Sequence, residues 1–231
     1  KENSVATQFV WNYDEKMVIA VAGITSGDTT NDTSVNVTFT VSAAITNFTQ
    51  DDITVTNGSI SAFGANSSSQ YVAIVDVDGD GECKISVGVG SYTNIGGNTN
   101  AFVTEFVWTH DGTSAAVMTI SAVKSIDDSI SVTSGTTTND ASLILTFETS
   151  PSENILLFTE NDIVVTNGTL SSFANPGSGS AYTATFTPAN NGLTTINVGS
   201  GTYTDAVGNT NTLSATQFEW TYDGVKPYFT I

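Results

Sequence analysis

The stretch Gly201-Thr202-Tyr203-Thr204-Asp205-Ala206-Val207-Gly208-Asn209, running on into Phe218-Glu219-Trp220-Thr221-Tyr222-Asp223, decides how the whole chain reads. The same phrase stands earlier as Gly90-Ser91-Tyr92-Thr93-Asn94-Ile95-Gly96-Gly97-Asn98, leading to Phe106-Val107-Trp108-Thr109-His110-Asp111. Its tail appears a third time as Phe9-Val10-Trp11-Asn12-Tyr13-Asp14. In each tail large rings alternate with other residues, and a period of two places them on one face of an extended strand.

The tryptophans of the three tails are 108 − 11 = 97 and 220 − 108 = 112 residues apart. Between them the units match in order. Thr25–Asp32 answers Thr133–Asp140, Phe48–Gly58 answers Phe158–Gly168, Tyr71 answers Tyr182, and Ile85–Gly88 answers Ile196–Gly199. A period near 100 residues is too long for a solenoid layer, so each unit is expected to be a complete domain.

Within the second unit, runs of alternating apolar residues predict strands over Val117–Val123, Ser129–Thr133, Ser142–Glu148, Asp162–Thr166, Thr169–Phe173, Ala181–Thr187, Thr194–Val198 and Ala215–Tyr222. Asn57-Gly58 and Asn167-Gly168 read as hairpin-turn dipeptides that accept positive φ. No segment has a helical period. About seven strands in 100 residues predict an all-β sandwich, with a small barrel as the structural alternative. The expected frame is a closing strand of an upstream repeat in residues 1–14, whole repeats over 15–111 and 112–223, and the start of another over 224–231. The chain thus reads as a fragment of a longer repeat array.

Composition narrows the partners. Against 23 Asp plus Glu stand 5 Lys plus Arg, a net charge of −18. Such a field repels nucleic acid and anionic membrane surfaces and attracts cations. Cys83 is the only cysteine, so no internal disulfide is possible, and the residue is expected to be a small buried or half-buried strand side chain. No apolar run reaches 18 residues, and no signal peptide is visible.

Taken together, Phe158-x-x-x-Asp162-Ile163-x-Val165-x-Asn167-Gly168, Tyr182-Thr183-Ala184-Thr185-Phe186-Thr187-Pro188 and Gly201-x-Tyr203-Thr204-Asp205-x-x-Gly208-Asn209 resemble the bacterial immunoglobulin-like repeats of large surface adhesins and biofilm proteins. The first unit departs at Val75-Asp76-Val77-Asp78 and at Asn94. The resemblance implies tandem immunoglobulin-like β-sandwiches without a disulfide, acting as extracellular, cell-surface spacers whose neighbours are further repeats of the same chain. It also implies calcium at domain junctions.

Asp76-Val77-Asp78-Gly79-Asp80-Gly81 has carboxylates at alternate positions and a glycine that permits a sharp turn. A helical calcium loop would need Glu at its twelfth position, which is Val87, so an EF-hand is excluded. A calcium-binding β-turn competes with a plain solvated hairpin. Asp76, Asp78 and Asp80, with Asp32 and Asp111, are the expected ligands at one junction, joined by Glu153, Glu160 or Asp205 of the next domain. The competing reading is that these residues terminate strands and keep edges soluble.

Asn-x-Ser/Thr triplets occur at Asn31, Asn36, Asn47, Asn57, Asn66 and Asn167. Asn36, Asn57 and Asn167 are the candidate glycan acceptors should the source be eukaryotic. His110 occupies the ring slot of Tyr13 and Tyr222 and reads as packing. No nucleophile–His–acid set, phosphate loop or Cys/His cluster is present, so a catalytic role is not expected. Two other functions compete: a carbohydrate-binding module with an exposed aromatic platform, and a surface filament in which Val5–Tyr13 completes a neighbouring copy's sheet.

Overall fold

A computed structural model describes residues 16–175 and 180–228. The upstream strand expected over Val5–Asp14, and with it the strand-exchange reading, lies outside those residues. The described residues divide into two compact units, the first ending at Gly112 and the second beginning at Thr113.

In the first unit the strands are β1 (Val18–Val21), β2 (Thr29–Thr30), β3 (Ser34–Thr40), β4 (Ile45–Thr46), β5 (Ile53–Thr56), β6 (Gly58–Ser67), β7 (Gln70–Val77), β8 (Gly81–Val87), β9 (Thr93–Asn94) and β10 (Thr104–His110). They form one sheet of order β1-β3-β7-β6, a second of order β2-β10-β8-β5, and a small β4-β9 pair. The second unit contains β11 (Val117–Lys124), β12 (Asp127–Val132), β13 (Thr136–Thr138), β14 (Leu143–Ser150), β15 (Ile163–Thr166), β16 (Gly168–Ala174), β17 (Ala181–Pro188), β18 (Gly192–Val198) and β19 (Phe218–Tyr222). Its sheets are β12-β11-β14-β17-β16 and β13-β19-β18-β15. Both units are two-layer sandwiches.

The alternation in the sequence is what closes each sandwich. Val35, Val37 and Phe39 of β3 are buried while Ser34 and Asn36 face out; Leu143, Leu145 and Phe147 do the same in β14. Phe106, Trp108 and His110 are buried along β10, and Phe218 and Trp220 along β19. Each such ring removes enough apolar surface from water to supply roughly 2–3 kcal/mol. The two cores share no residue. Cys83 is fully buried, opposite Trp108.

One expectation is corrected. Asn57-Gly58 and Asn167-Gly168 are not hairpin turns, since β5 and β6 belong to different sheets, as do β15 and β16. Asn57 (φ 56°) and Asn167 (φ 52°) are left-handed as expected, but the kink carries the chain across the sandwich at its edge. A glycine must follow. A Cβ on Gly58 would lie 2.6 Å from the Asp76 carbonyl oxygen, and one on Gly168 would lie 2.3 Å from Phe186 Cζ. Sequence alone could not separate corner from hairpin, because both want the same dipeptide.

Of the 15-residue difference between the spacings of 97 and 112, 4 residues are spread between Thr133 and Trp220 (87 against 83 in the first unit) and 11 fall before Thr133, with the buried Met17 and Met118 entering corresponding strands. From Met17 to Thr25 is 8 residues and from Met118 to Thr133 is 15, so 15 − 8 = 7 residues build the extra β11–β12 hairpin. From Trp11 to Met17 is 6 residues and from Trp108 to Met118 is 10, so the connection into the second unit is 10 − 6 = 4 residues longer.

Candidate functional site at the exit pole

The chain leaves the first unit from the end of β10, and the turn between β7 and β8 lies beside that exit. Gly81 opens β8 with φ 123° and pairs with His110, the last residue of β10. Gly112, two residues further on, donates its backbone N–H to Asp80 Oδ1 at 2.6 Å. His110 is buried, with Nδ1 3.2 Å from the same oxygen.

The remaining acidic residues of this pole do not converge. The Asp76 carboxylate accepts the Ser34 hydroxyl proton at 2.7 Å across the β3–β7 ladder. Asp78 is exposed, and its backbone N–H donates to Asn57 O at 3.3 Å. Asp32 Oδ2 accepts the Thr30 hydroxyl at 2.8 Å, while Asp111 donates its backbone N–H to Thr30 O. Among the described residues, no three His, Cys, Asp or Glu side chains come together in a way that could hold a metal ion. The expected calcium set of Asp76, Asp78, Asp80, Asp32 and Asp111 is therefore not assembled within this unit. Alternate strand positions and the turn direct the Asp76, Asp80 and Asp32 carboxylates to three separate neighbours.

Asp205 serves a different purpose. It is buried, and Oδ1 accepts the backbone N–H groups of Val207, Gly208 and Asn209, each at 2.9 Å. Oδ2 accepts Asn209 Nδ2 at 2.9 Å. The carboxylate is the anchor of its own loop, and four donors leave it ill suited as a cation ligand. In the first unit Asn94 Oδ1 does the same with Gly96 and Asn98. Glu153 accepts the Ala116 backbone N–H within the second unit, and Glu160 lies in the exposed turn before β15.

Of the candidate glycan acceptors, Asn36 is exposed on β3. Asn57 commits Nδ2 to Gly79 O (2.7 Å) and Cys83 Sγ (3.4 Å), and Asn167 commits Nδ2 to Asn190 O (2.9 Å) and Leu193 O (3.4 Å). A sugar on either nitrogen displaces one of those bonds, so both asparagines serve the sheet-crossing corner. Burial pushes the Cys83 thiol above its ordinary pKa, against the Asn57 hydrogen bond that lowers it. Nothing about the thiol marks a nucleophile.

The sequence reading missed Asp52 and Asp162. Each carboxylate accepts both the backbone N–H and the hydroxyl proton of the threonine three residues earlier, Thr49 or Thr159, at 2.8–2.9 Å. The signal was present, since Phe-Thr-x-x-Asp-Ile recurs in both units with the spacing of a capping box.

Fold and geometry together define a pair of small, disulfide-free immunoglobulin-like sandwiches joined in tandem. The chain belongs to the bacterial Ig-like domain family, whose model matches residues 17–109 and again 127–222. Among solved structures it is similar to the Escherichia coli adhesin FdeC, at 13% identity over 89% of this chain and 64% of that one, with a TM-score of 0.44. It is also similar to invasin, a bacterial integrin-binding protein (13% identity, 90% and 40% covered, TM-score 0.39), and to InvD of Yersinia pseudotuberculosis (13%, 89% and 57%, 0.38). The chain thus spans less than two thirds of each of those chains. No protein with a curated description matches it in sequence. No helix among the described residues is long and apolar enough to cross a membrane.

Proposed function

We propose that the two units are spacer repeats of a long, extracellular, surface-attached protein of adhesin type, carrying load and distance and performing no chemistry of their own. The observation that supports this most is the pair of separate cores, because a repeat that buries its own rings can be strung in any number without a partner. Family membership and the acidic, disulfide-free composition agree with it. Four of the large rings a carbohydrate platform would draw on, Phe106, Trp108, Phe218 and Trp220, are buried. Calcium stiffening of the junctions is not part of the proposal.

Pulling the chain from its two ends tests the reading. Two unfolding events are expected, each releasing on the order of 300 Å of contour length, which is what about 90 extended residues span. A single event for the whole chain, or clear binding to a polysaccharide abolished by Trp108→Ala, would overturn it.

A further inference from the structure

Both units end in the same small device. In the first, Gly112 N–H is bonded to Asp80 Oδ1 at 2.6 Å; in the second, Gly224 N–H is bonded to Asn191 Oδ1 at 2.8 Å. Asp80 and Asn191 each stand one residue before the glycine (Gly81 or Gly192) that opens the next strand with φ near 125°. The ring two residues before the donor packs against it. A Cβ on Gly112 would lie 2.9 Å from His110 Cε1, and one on Gly224 would lie 2.5 Å from the Tyr222 hydroxyl.

The residue types differ at two of the three places, aspartate against asparagine and histidine against tyrosine, yet the bond is kept. What both acceptors share is a side-chain oxygen on a short stem. What both rings share is an edge that a Cβ on the glycine would crowd. The third junction in the sequence has Glu15 where Gly112 and Gly224 stand, and it is four residues shorter.

We infer that this glycine amide, the turn oxygen and the neighbouring ring (buried His110 or half-buried Tyr222) form a latch that fixes the direction in which the chain leaves each repeat. The inference rests on the spacer reading. The carboxylate of Asp80 acts there as a hydrogen-bond acceptor for the first residue of the connection, not as a cation ligand. An isolated glycine linker would sample both signs of φ freely; one bonded at its amide and wedged on a ring cannot. The latch therefore stiffens the exit without a metal.

The test is amide exchange and backbone order parameters on the whole chain. Gly112 is expected to be protected, with an order parameter near the rigid value of about 0.85. Asp80→Ala should speed Gly112 exchange at least tenfold and drop its order parameter below about 0.6, with the core amides of Val37 and Ile85 unchanged. Asp80→Asn, the acceptor already used in the second unit, should restore protection. Asn191→Ala should release Gly224 alone. Gly112 exchanging at the free-peptide rate in the unmodified chain, or ignoring Asp80→Ala, would overturn the latch. So would loss of its protection on adding EDTA, which would give the role to a cation. These outcomes are independent of the pulling experiment: two unfolding events with an unprotected Gly112 sink the latch and leave the spacer reading standing.

Discussion

Trp220 donates its indole N–H to the hydroxyl of Thr138 at 3.0 Å, tying the closing strand β19 to the short strand β13 that runs parallel to it. The first unit has the same residues, Trp108 and Thr30, without the bond. There the Thr30 hydroxyl accepts the Asp32 backbone N–H and donates to the Asp32 carboxylate, and Trp108 Nε1 has no acceptor among the described residues. Thr138→Val should therefore leave a buried donor unpaired and cost the second unit about 1–3 kcal/mol. Thr30→Val should stay within about 0.5 kcal/mol. Denaturation followed by tryptophan fluorescence compares the two.

Because the cores share no residue, damage to one should not spread. Trp220→Ala removes the largest fully buried ring of the second unit and should cost about 3–5 kcal/mol. The amide spectrum should then show residues beyond Thr113 unfolding at lower denaturant while those of the first unit keep their positions. Loss of both units together would contradict the separation of cores.

Asp205 should matter through its oxygens rather than its charge. Asp205→Ala strands three backbone donors and should lower the stability of the second unit by about 2–4 kcal/mol. Asp205→Asn should recover most of that, as Asn94 does in the first unit. Addition of calcium should not rescue the alanine variant, and melting curves of the three proteins decide the matter.

The sheet-crossing corners permit no side chain. Gly58→Ala places a Cβ against the fixed carbonyl of Asp76, and Gly168→Ala places one 2.3 Å from Phe186 Cζ and 2.6 Å from the Thr187 carbonyl oxygen. Each should cost about 1–3 kcal/mol, because backbone and packed ring must both shift. Chemical denaturation of each variant, resolved by unit, checks this.

Alkaline pH should weaken both units. Burial raises the pKa of Cys83 in the first and of Tyr203 in the second, where the phenol also donates to Ala116 O at 2.7 Å. A folded pKa above the unfolded one means stability that is complete below the unfolded value and lost as pH rises through the folded one. The loss should start above about 8.5 for the thiol and about 10 for the phenol. Cys83→Ala should remove the first component, and titration of unfolding free energy against pH reads it directly. At the acid end Asp127, held low by its Ser129 hydrogen bonds, gives stability that is complete above the ordinary carboxylate value and lost as pH falls from there through the lowered one.

Particular residues show how far the sequence could be read. The rings at Phe106, Trp108 and His110 were placed on a buried face by their spacing alone, and the strands of the second unit by alternation. Asp205 shows the limit: a loop closing around one carboxylate looks the same in sequence as a cation ligand does, and only the structure shows its oxygens accepting the Val207, Gly208 and Asn209 N–H groups. The corners at Asn57 and Asn167 were misread for a similar reason: a left-handed residue records a change of direction but not which sheet the chain enters next.

What the chain determined by itself was local and periodic: strand, face, repeat length and the absence of any cysteine pair, because those depend on side chains two apart or units about a hundred apart in one linear order. Tertiary structure alone decided where each acid ended up. Hydrogen-bond partners such as Ser34 for Asp76, or Gly112 for Asp80, lie 42 and 32 residues away. Their meeting depends on which strands stack and how the edge is turned, and no spacing rule encodes that.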